Sequence, residues 1–489
     1  MQESILLVTV DCLRADHVGF MGYERPTTPF LDALAHESFV VPNAIAAGVP
    51  TYYSVPAIMG SRYPLALGRD ILGLGPSETT LASVLKSAGY ATAAFGAGNP
   101  YLSKRFGYEQ GFDTFRDFLE DDGNQSTGDK SVRPNQGWAS RLNRSIQKIR
   151  PSLGSFGTLY DELYFEYCQR VTPVPASLDA LRRFPAADVI VEQACDWLAS
   201  RGTTPFFLWL HLMDPHSPYY PTEDVFSMLA RRSVSPQRAR YLNSYWNRGD
   251  LLPNRLERHR TEIVSLYDAG IRWVDEQMKR LVEYLRRTGS WDKCIFALSA
   301  DHGEEFLEHG GRYHAPQLSE ELIHVPLLLR VPGTVKKEQD RSPFSLMHLA
   351  PTLLDAASLP IPKEFRGHSC LERMRRGHAF YEVAISECVA GCANPFHPEN
   401  RIGPRILAVR ESRYKLVLHF GPQAEDLYDL EADPAEQSPL SVKAEKPVRQ
   451  RLLEVARQHL HNSGRQRDER MRLQARLRDL QLEWARSPA

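Results

Sequence analysis

Neither sign of charge dominates this chain: 59 Lys and Arg stand against 60 Asp and Glu, a formal net charge of −1 over 489 residues. The sequence therefore lacks the global electrostatic pull on which nucleic acids and acidic membranes act, and no nucleic-acid partner is expected. Cysteine is scarce and odd in number, 7 residues scattered along the chain, which argues against a secreted disulfide framework. Long hydrophobic runs are missing too. The apolar start, Ile5 to Val10, is far too short to span a bilayer, and neither a basic segment nor a cleavage site precedes it. A cytoplasmic protein without a transmembrane segment is expected. No internal repeat is visible.

What is present is material for a large core, 42% hydrophobic residues against 24% charged. The length suits one large domain with an appendage. Ile5–Val10 is an unbroken apolar run ending in Asp11, the pattern of a central parallel strand buried on both faces. The pattern recurs at Ala91–Phe95, Phe206–Leu212, Cys294–Ser299 and Val325–Val331. Helix-period segments lie between, at Thr80–Ala88, Asp188–Ser200 and Glu262–Arg287. Alternation of this kind predicts an α/β fold, a large mainly parallel sheet sandwiched by helices. Ligands gather at the carboxyl ends of such strands, where Asp11, Asn99, Asp214 and Asp301 fall.

Two excursions interrupt the pattern, about 121–185 and 221–260. The first carries a helical stripe of Trp138, Leu142, Ile146 and Ile149, read as a packing face. From Ile406 the texture becomes short strands, Ile406–Arg410 and Lys415–Leu418, which predict a small C-terminal antiparallel sheet. The expected division is a catalytic domain over 1–385, an α+β subdomain over 386–442 and a charged helical tail over 443–489. The tail's seam of Leu473, Leu477, Leu480 and Trp484 would pack on the body or pair two subunits as a homo-oligomer.

The chemistry concentrates in Ser299-Ala300-Asp301-His302-Gly303-Glu304-Glu305, followed by Glu308-His309-Gly310. An aspartate and a neutral imidazole side by side at a strand end both ligate divalent cations, and the glycine permits a sharp turn. Asp11 adds a second carboxylate. Glu304 and Glu305 read as acids of a helix N-terminus, favoured by the helix dipole. Cys388, Cys392 and His397 have a loose metal-like spacing but no evident fourth ligand, so no zinc site is read there. Cys12 reads as a small buried residue and Arg62 as structural.

With these blocks in order, the chain resembles the sulfatase family of the alkaline-phosphatase superfamily. Asp11 to Arg14 resembles D-D-L-R, Thr28 to Ala35 resembles T-P-N-L-D-x-L-A, and Gly111-Phe112-Asp113 matches G-F-D. Glu320 to Pro326, Ala350 to Asp355 and Asp426 to Glu436 resemble three later blocks. Pro50 to Pro64 resembles the signature C/S-x-P-S-R-x-x-L-x-T-G-R-x-P, with Ile58 to Pro64 on its far end, which places Thr51 at the nucleophile position. The resemblance runs from Ile5 to about Leu440. It implies an alkaline-phosphatase-like fold and one divalent metal ion (Zn, Mn, Ca or Mg) held by Asp11, Asp301 and His302 with Thr51. It also implies a phosphate- or sulfate-ester substrate.

The departures redirect the chemistry. The family oxidises a cysteine or serine to formylglycine, and a threonine cannot become that aldehyde. The family's second aspartate is Cys12 here, the arginine after the nucleophile is Val55, and its G-K-x-H segment aligns with Gly96-Ala97-Gly98-Asn99. Thr51 with Tyr52, Ser54 and Asn99 looks more like the threonine-dependent phosphodiesterases and phosphotransferases of the superfamily. Asn99 and Ser54 are then the candidate substrate-binding groups, and His216, His309 and His314 the candidate proton carriers. Phosphoester hydrolysis or phosphoryl transfer is favoured. A sulfatase working without formylglycine and a catalytically silent binding protein are the alternatives.

Overall fold

The apolar runs become the middle of one seven-stranded sheet. A computed structural model describes residues 2–68, 72–119, 155–230, 233–335, 338–380, 383–392, 395–396, 401 and 403–463. The sheet runs in the order Phe39–Val40, Leu327–Arg330, Cys294–Ala300, Ser4–Val10, Phe206–Leu212, Ala91–Gly96, Thr114–Arg116. From Cys294–Ala300 to Thr114–Arg116 every pairing is parallel. Every residue of Phe206–Leu212 and of Cys294–Ala300 is buried, as a strand covered by helices on both faces requires.

Two of the helices begin at start signals that the sequence carries. Leu81–Ser87 opens with a reciprocal pair, Thr80 Oγ1 accepting from Ser83 N at 3.0 Å and Ser83 Oγ from Thr80 N at 2.9 Å. Pro253 starts the 35-residue helix Pro253–Arg287, at a first-turn position where a missing N–H costs nothing. That helix begins upstream of the expected Glu262, and the stretch from Pro221 to Pro253 carries its own helices Glu223–Ala230 and Pro236–Trp246.

Two expectations for the main sheet are corrected. The run Val325–Val331 is not one more parallel strand. It divides at Pro326: His324–Val325 pairs with Ala44–Ile45 in a three-stranded sheet, and Leu327–Arg330 lies antiparallel to Cys294–Ala300. Proline has no N–H for a ladder; its carbonyl instead accepts from Ser299 Oγ at 2.9 Å. Glu304 and Glu305 start no helix. Glu305–Phe306 pairs with Arg312–Tyr313 as a two-stranded ribbon, and both carboxylates are buried. The cause lies at Gly303, whose N–H donates to Leu322 O at 2.8 Å and draws the chain against the Glu321 segment.

The C-terminal sheet is four-stranded and antiparallel: Ala384–Val389, Arg405–Arg410, Tyr414–His419, Ala424–Asp429. Its first strand crosses the expected 385/386 division. Side chains alternate between its faces. Ala384, Cys388, Ile406, Ala408 and Val417 pack with Tyr52 and Tyr53 of the helix Thr51–Gly60. Leu407, Val409, Leu416 and Leu427 are covered by Leu452 and Ala456 from a helix over 446–463. The start of the expected tail is thus a packed layer. The Leu473–Trp484 seam, the Trp138–Ile149 stripe and His397 lie outside the described residues. Among those described, no helix is long and apolar enough to cross a membrane.

A Cβ on Gly303 would sit 1.9 Å from Glu321 O. Gly303→Ala is therefore expected to cost about 1–3 kcal/mol, read as a lower denaturant midpoint at unchanged slope. An unshifted midpoint would show that the Glu321 segment yields freely.

Candidate active site

Two adjacent parallel strands build the centre. Ser4–Val10 and Cys294–Ala300 run in register to the pair Val10 and Ala300, so the residues that follow, Asp11 and Asp301, leave the sheet side by side. Both are fully buried, and His302 with them. His302 Nδ1 lies 2.8 Å from Gly303 O. A carbonyl only accepts, so Nδ1 carries the proton and Nε2 turns a lone pair to the centre. Nε2 is 3.5 Å from Asp301 Oδ2 and 3.7 Å from Asp11 Oδ1.

The two carboxylates are treated differently. Asp11 Oδ2 accepts from Asn99 Nδ2 at 2.8 Å and sits 3.2 Å from His211 Nε2, while Cys12 Sγ donates to Oδ1 at 3.0 Å. Burial raises an acid's pKa, but His216, His211 and His302 outweigh it here and hold Asp11 well below the usual carboxylate range. Asp301 moves the other way, raised by burial and then by the Asp11 charge. Its Oδ1 accepts from His302 N at 3.0 Å, and its Oδ2 is buried without a hydrogen-bond partner. One ligand atom each from Asp11, Asp301 and His302 lie within 4.8 Å of one another. A buried carboxylate oxygen left without a donor, beside an imidazole lone pair, fits a divalent cation.

Thr51 is the first residue of the helix Thr51–Gly60, at the partly positive end of its dipole. Its Oγ1 lies 3.2 Å from His302 Nε2 and 3.5 Å from Asp11 Oδ2. It opens into a cleft of about 460 Å³ walled by Tyr52, Tyr101, Phe184 and Tyr313, which His216 and His314 also line. The two histidine rings are 4.9 Å apart between centroids.

Not every expected site residue faces that cleft. Ser54 is buried and gives its hydroxyl to Asp301 O at 2.5 Å. Asn99 lines the cleft, but its amide is committed, donating to Asp11 and accepting from Tyr101 N at 2.9 Å. His309 turns to Glu321, 3.4 Å away, and that hydrogen bond raises its pKa. Asp214 accepts from Ala187 N at 3.3 Å, at the start of the helix Ala187–Ser200, and burial pushes its carboxyl up to about 6.

Three residues of the centre were not singled out as functional from the sequence. His211 links Asp11 to Thr9 Oγ1, 2.9 Å from its Nδ1, which in turn accepts from Trp209 Nε1 at 3.0 Å. A lone histidine in a wholly apolar strand was its signal. Glu304 accepts from Tyr219 OH at 2.8 Å and lies 3.0 Å from His314 Nδ1. Burial alone would raise Glu304; His314, His216 and the Cys12 thiol outweigh it and lower the pKa. Cys12 is fully buried, and burial with the Glu304, Asp11 and Asp301 charges pushes its thiol well above the usual range.

Buried carboxylates and an imidazole thus lie at the ends of central parallel strands and face a hydroxyl at a helix N-terminus. The sulfatase family model matches residues 3–359, and the model of the N-sulphoglucosamine sulphohydrolase C-terminal region matches 308–463. The chain belongs to the sulfatase family. An arylsulfatase of Clostridium perfringens is 25% identical over 470 residues, covering 89% of both proteins. The multifunctional alkaline phosphatase superfamily protein PehA of Trinickia caryophylli is 22% identical over 496 residues, covering 90% of this chain and 91% of its own. The phosphonate monoester hydrolase of Agrobacterium radiobacter superposes with a TM-score of 0.63 at 18% identity over 95% and 96% of the two chains, a likeness of fold alone.

Asn99→Ala and His211→Ala each release Asp11 from a donor. Each is expected to lower turnover by about 10–100-fold and, by leaving a buried carboxylate short of a donor, to lower the melting temperature as well. Full activity in either would show that Asp11 is oriented without it.

Proposed function

We propose that this chain is a metal-dependent ester hydrolase that uses unmodified Thr51 as its nucleophile and favours phosphate esters and diesters over sulfate esters. The observation that supports it most directly is the place of Thr51 Oγ1, 3.2 Å from His302 Nε2 at the mouth of the cleft. A formylglycine hydrate expels sulfate by re-forming its aldehyde, which takes two geminal hydroxyls. Threonine has one. Its ester is broken only by attack at the central atom, the route of hydroxyl-nucleophile phosphatases. Ala97 and Val55, both fully buried, stand where the resemblance puts the family's lysine and arginine.

Asp11, Asp301 and His302 would hold one divalent cation, which lowers the pKa of the Thr51 hydroxyl and offsets charge on the transferring group. Thr51 gives its proton to solvent, and Oγ1 bonds to phosphorus as the ester P–O bond breaks. The departing oxygen takes a proton from His216, whose Nδ1 lies 2.5 Å from Ser217 O and so leaves Nε2 free for the transfer. Water then attacks phosphorus in line, returns a proton to His216 and displaces Thr51 Oγ1. An acceptor alcohol in place of water makes the same step a transfer. The aromatic wall of Tyr52, Tyr101 and Phe184 gives the leaving group an apolar seat. The second reading, a sulfatase working through the same threonine, draws on the Clostridium perfringens arylsulfatase.

The test compares an aryl sulfate, an aryl phosphate and a bis-aryl phosphate, with Thr51→Ala alongside. Phosphoester turnover with a phosphoryl adduct on Thr51 by intact mass is expected, and Thr51→Ala should lower kcat/KM by about 10³ or more. Turnover of the sulfate alone would reverse the preference. A chelator should abolish activity and a divalent ion restore it; activity that survives complete metal removal would sink the metal role.

A further inference from the structure

We propose that Cys12 is a metal ligand and that its thiolate makes this a site for a thiophilic ion of the zinc class rather than for calcium or magnesium. The proposal rests on the reading of Asp11, Asp301 and His302 as a cation site and names a ligand beyond that group. Three sets of ligand-type side chains have their ligand atoms within 4.8 Å of one another around the centre. One is Asp11, Asp301 and His302. Cys12 belongs to both of the others, with His302 and His314 in one and with Asp11 and His216 in the other.

The geometry suits a shared ion. Cys12 Sγ lies 3.0 Å from Asp11 Oδ1 and belongs with His302 to a group whose ligand atoms lie within 4.8 Å of one another. A tetrahedral zinc with ordinary Zn–S and Zn–N bonds separates neighbouring sulfur and nitrogen ligand atoms by about 3.5 Å. The residue is held in that pose. Its φ is 62°, a left-handed conformation that non-glycine residues seldom adopt, and its carbonyl accepts from Tyr267 OH at 2.7 Å. An independent sign of a missing positive partner is Asp301 Oδ2, fully buried and unbonded.

Ligand chemistry then selects the ion. Calcium takes six to eight oxygens and magnesium a near-octahedral oxygen shell. The Cys12 thiolate and the His302 imidazole beside the Asp11 and Asp301 carboxylates are a borderline-to-soft set, which suits zinc and its neighbours. The thiol proton passes to solvent when the ion arrives, and the buried Glu304 carboxylate, 3.0 Å from His314 Nδ1, stays with that ring. The competing role for Cys12 is a plain hydrogen-bond donor to Asp11, which a serine would reproduce.

The experiment strips the full-length protein with a chelator and titrates it with Co²⁺. The wild type should develop a near-ultraviolet thiolate-to-cobalt charge-transfer band. Cys12→Ser should melt at the same temperature, lack that band and bind zinc at least about tenfold more weakly. Cobalt binding without the band in the wild type, or a band that persists in Cys12→Ser, overturns the role of Cys12 while leaving the cation site standing. No cobalt binding at all overturns both. Should Cys12→Ser not fold, zinc-edge X-ray absorption on the wild type decides: a sulfur scatterer at about 2.3 Å supports the assignment, and a shell of nitrogen and oxygen alone overturns it.

Discussion

Two buried carboxylates of like charge are the constraint on which the centre depends. Asp11 and Asp301 are brought together by the register of two neighbouring parallel strands, and neither is reached by solvent. Burying an unpaired charge is costly enough that a carboxyl either protonates or gathers donors. Asp11 gathers donors from Asn99, His211 and Cys12 and remains ionised. Asp301 is raised by the same surroundings and keeps one oxygen bare. The proposed cation would relieve both conditions at once, and Thr51, His302 and the cleft lie about that point.

The supporting layers serve this arrangement. Ser54 holds the backbone of Asp301, Tyr267 holds that of Cys12, and Tyr219 holds the Glu304 carboxylate against His314. Beside Thr51, Tyr52 and Tyr53 pack on the C-terminal sheet, so the helix that presents Thr51 rests on a second hydrophobic core. The sheet is tied to the catalytic body by charge as well. Lys415, fully buried, sits 3.2 Å from Glu320 and 2.8 Å from Glu436. Removing one member of such a buried set leaves the others unpaired, a loss larger than the net value of the pair.

Much of the frame was legible in the chain. Unbroken apolar runs marked Ile5–Val10, Phe206–Leu212 and Cys294–Ser299, because a strand covered on both faces has no polar side to show. Asp11, Asp301 and His302 were legible as polar groups at strand ends, and Thr51 through its place in an ordered signature; the structure brings the four together. Other readings failed for local reasons. Val325–Val331 looked like one strand because composition does not reveal that Pro326 divides its pairing. Glu304 and Glu305 looked like helix acids because nothing in the sequence places the Glu321 carbonyl against Gly303. Asn99 was legible as part of the centre, but its amide is taken up by Asp11 and Tyr101, and His309 was drawn away by Glu321.

The sequence by itself determined the family, the parallel core and a threonine at the head of the signature block, since each depends on residue identity or on patterns along the chain. Only the tertiary structure decided which side chains share the centre. His211 reaches Asp11 from a strand 200 positions away, and His314 reaches Cys12 across 302 positions. Contacts between residues 200 and 300 positions apart are set by strand register and close packing. A linear pattern carries no record of them.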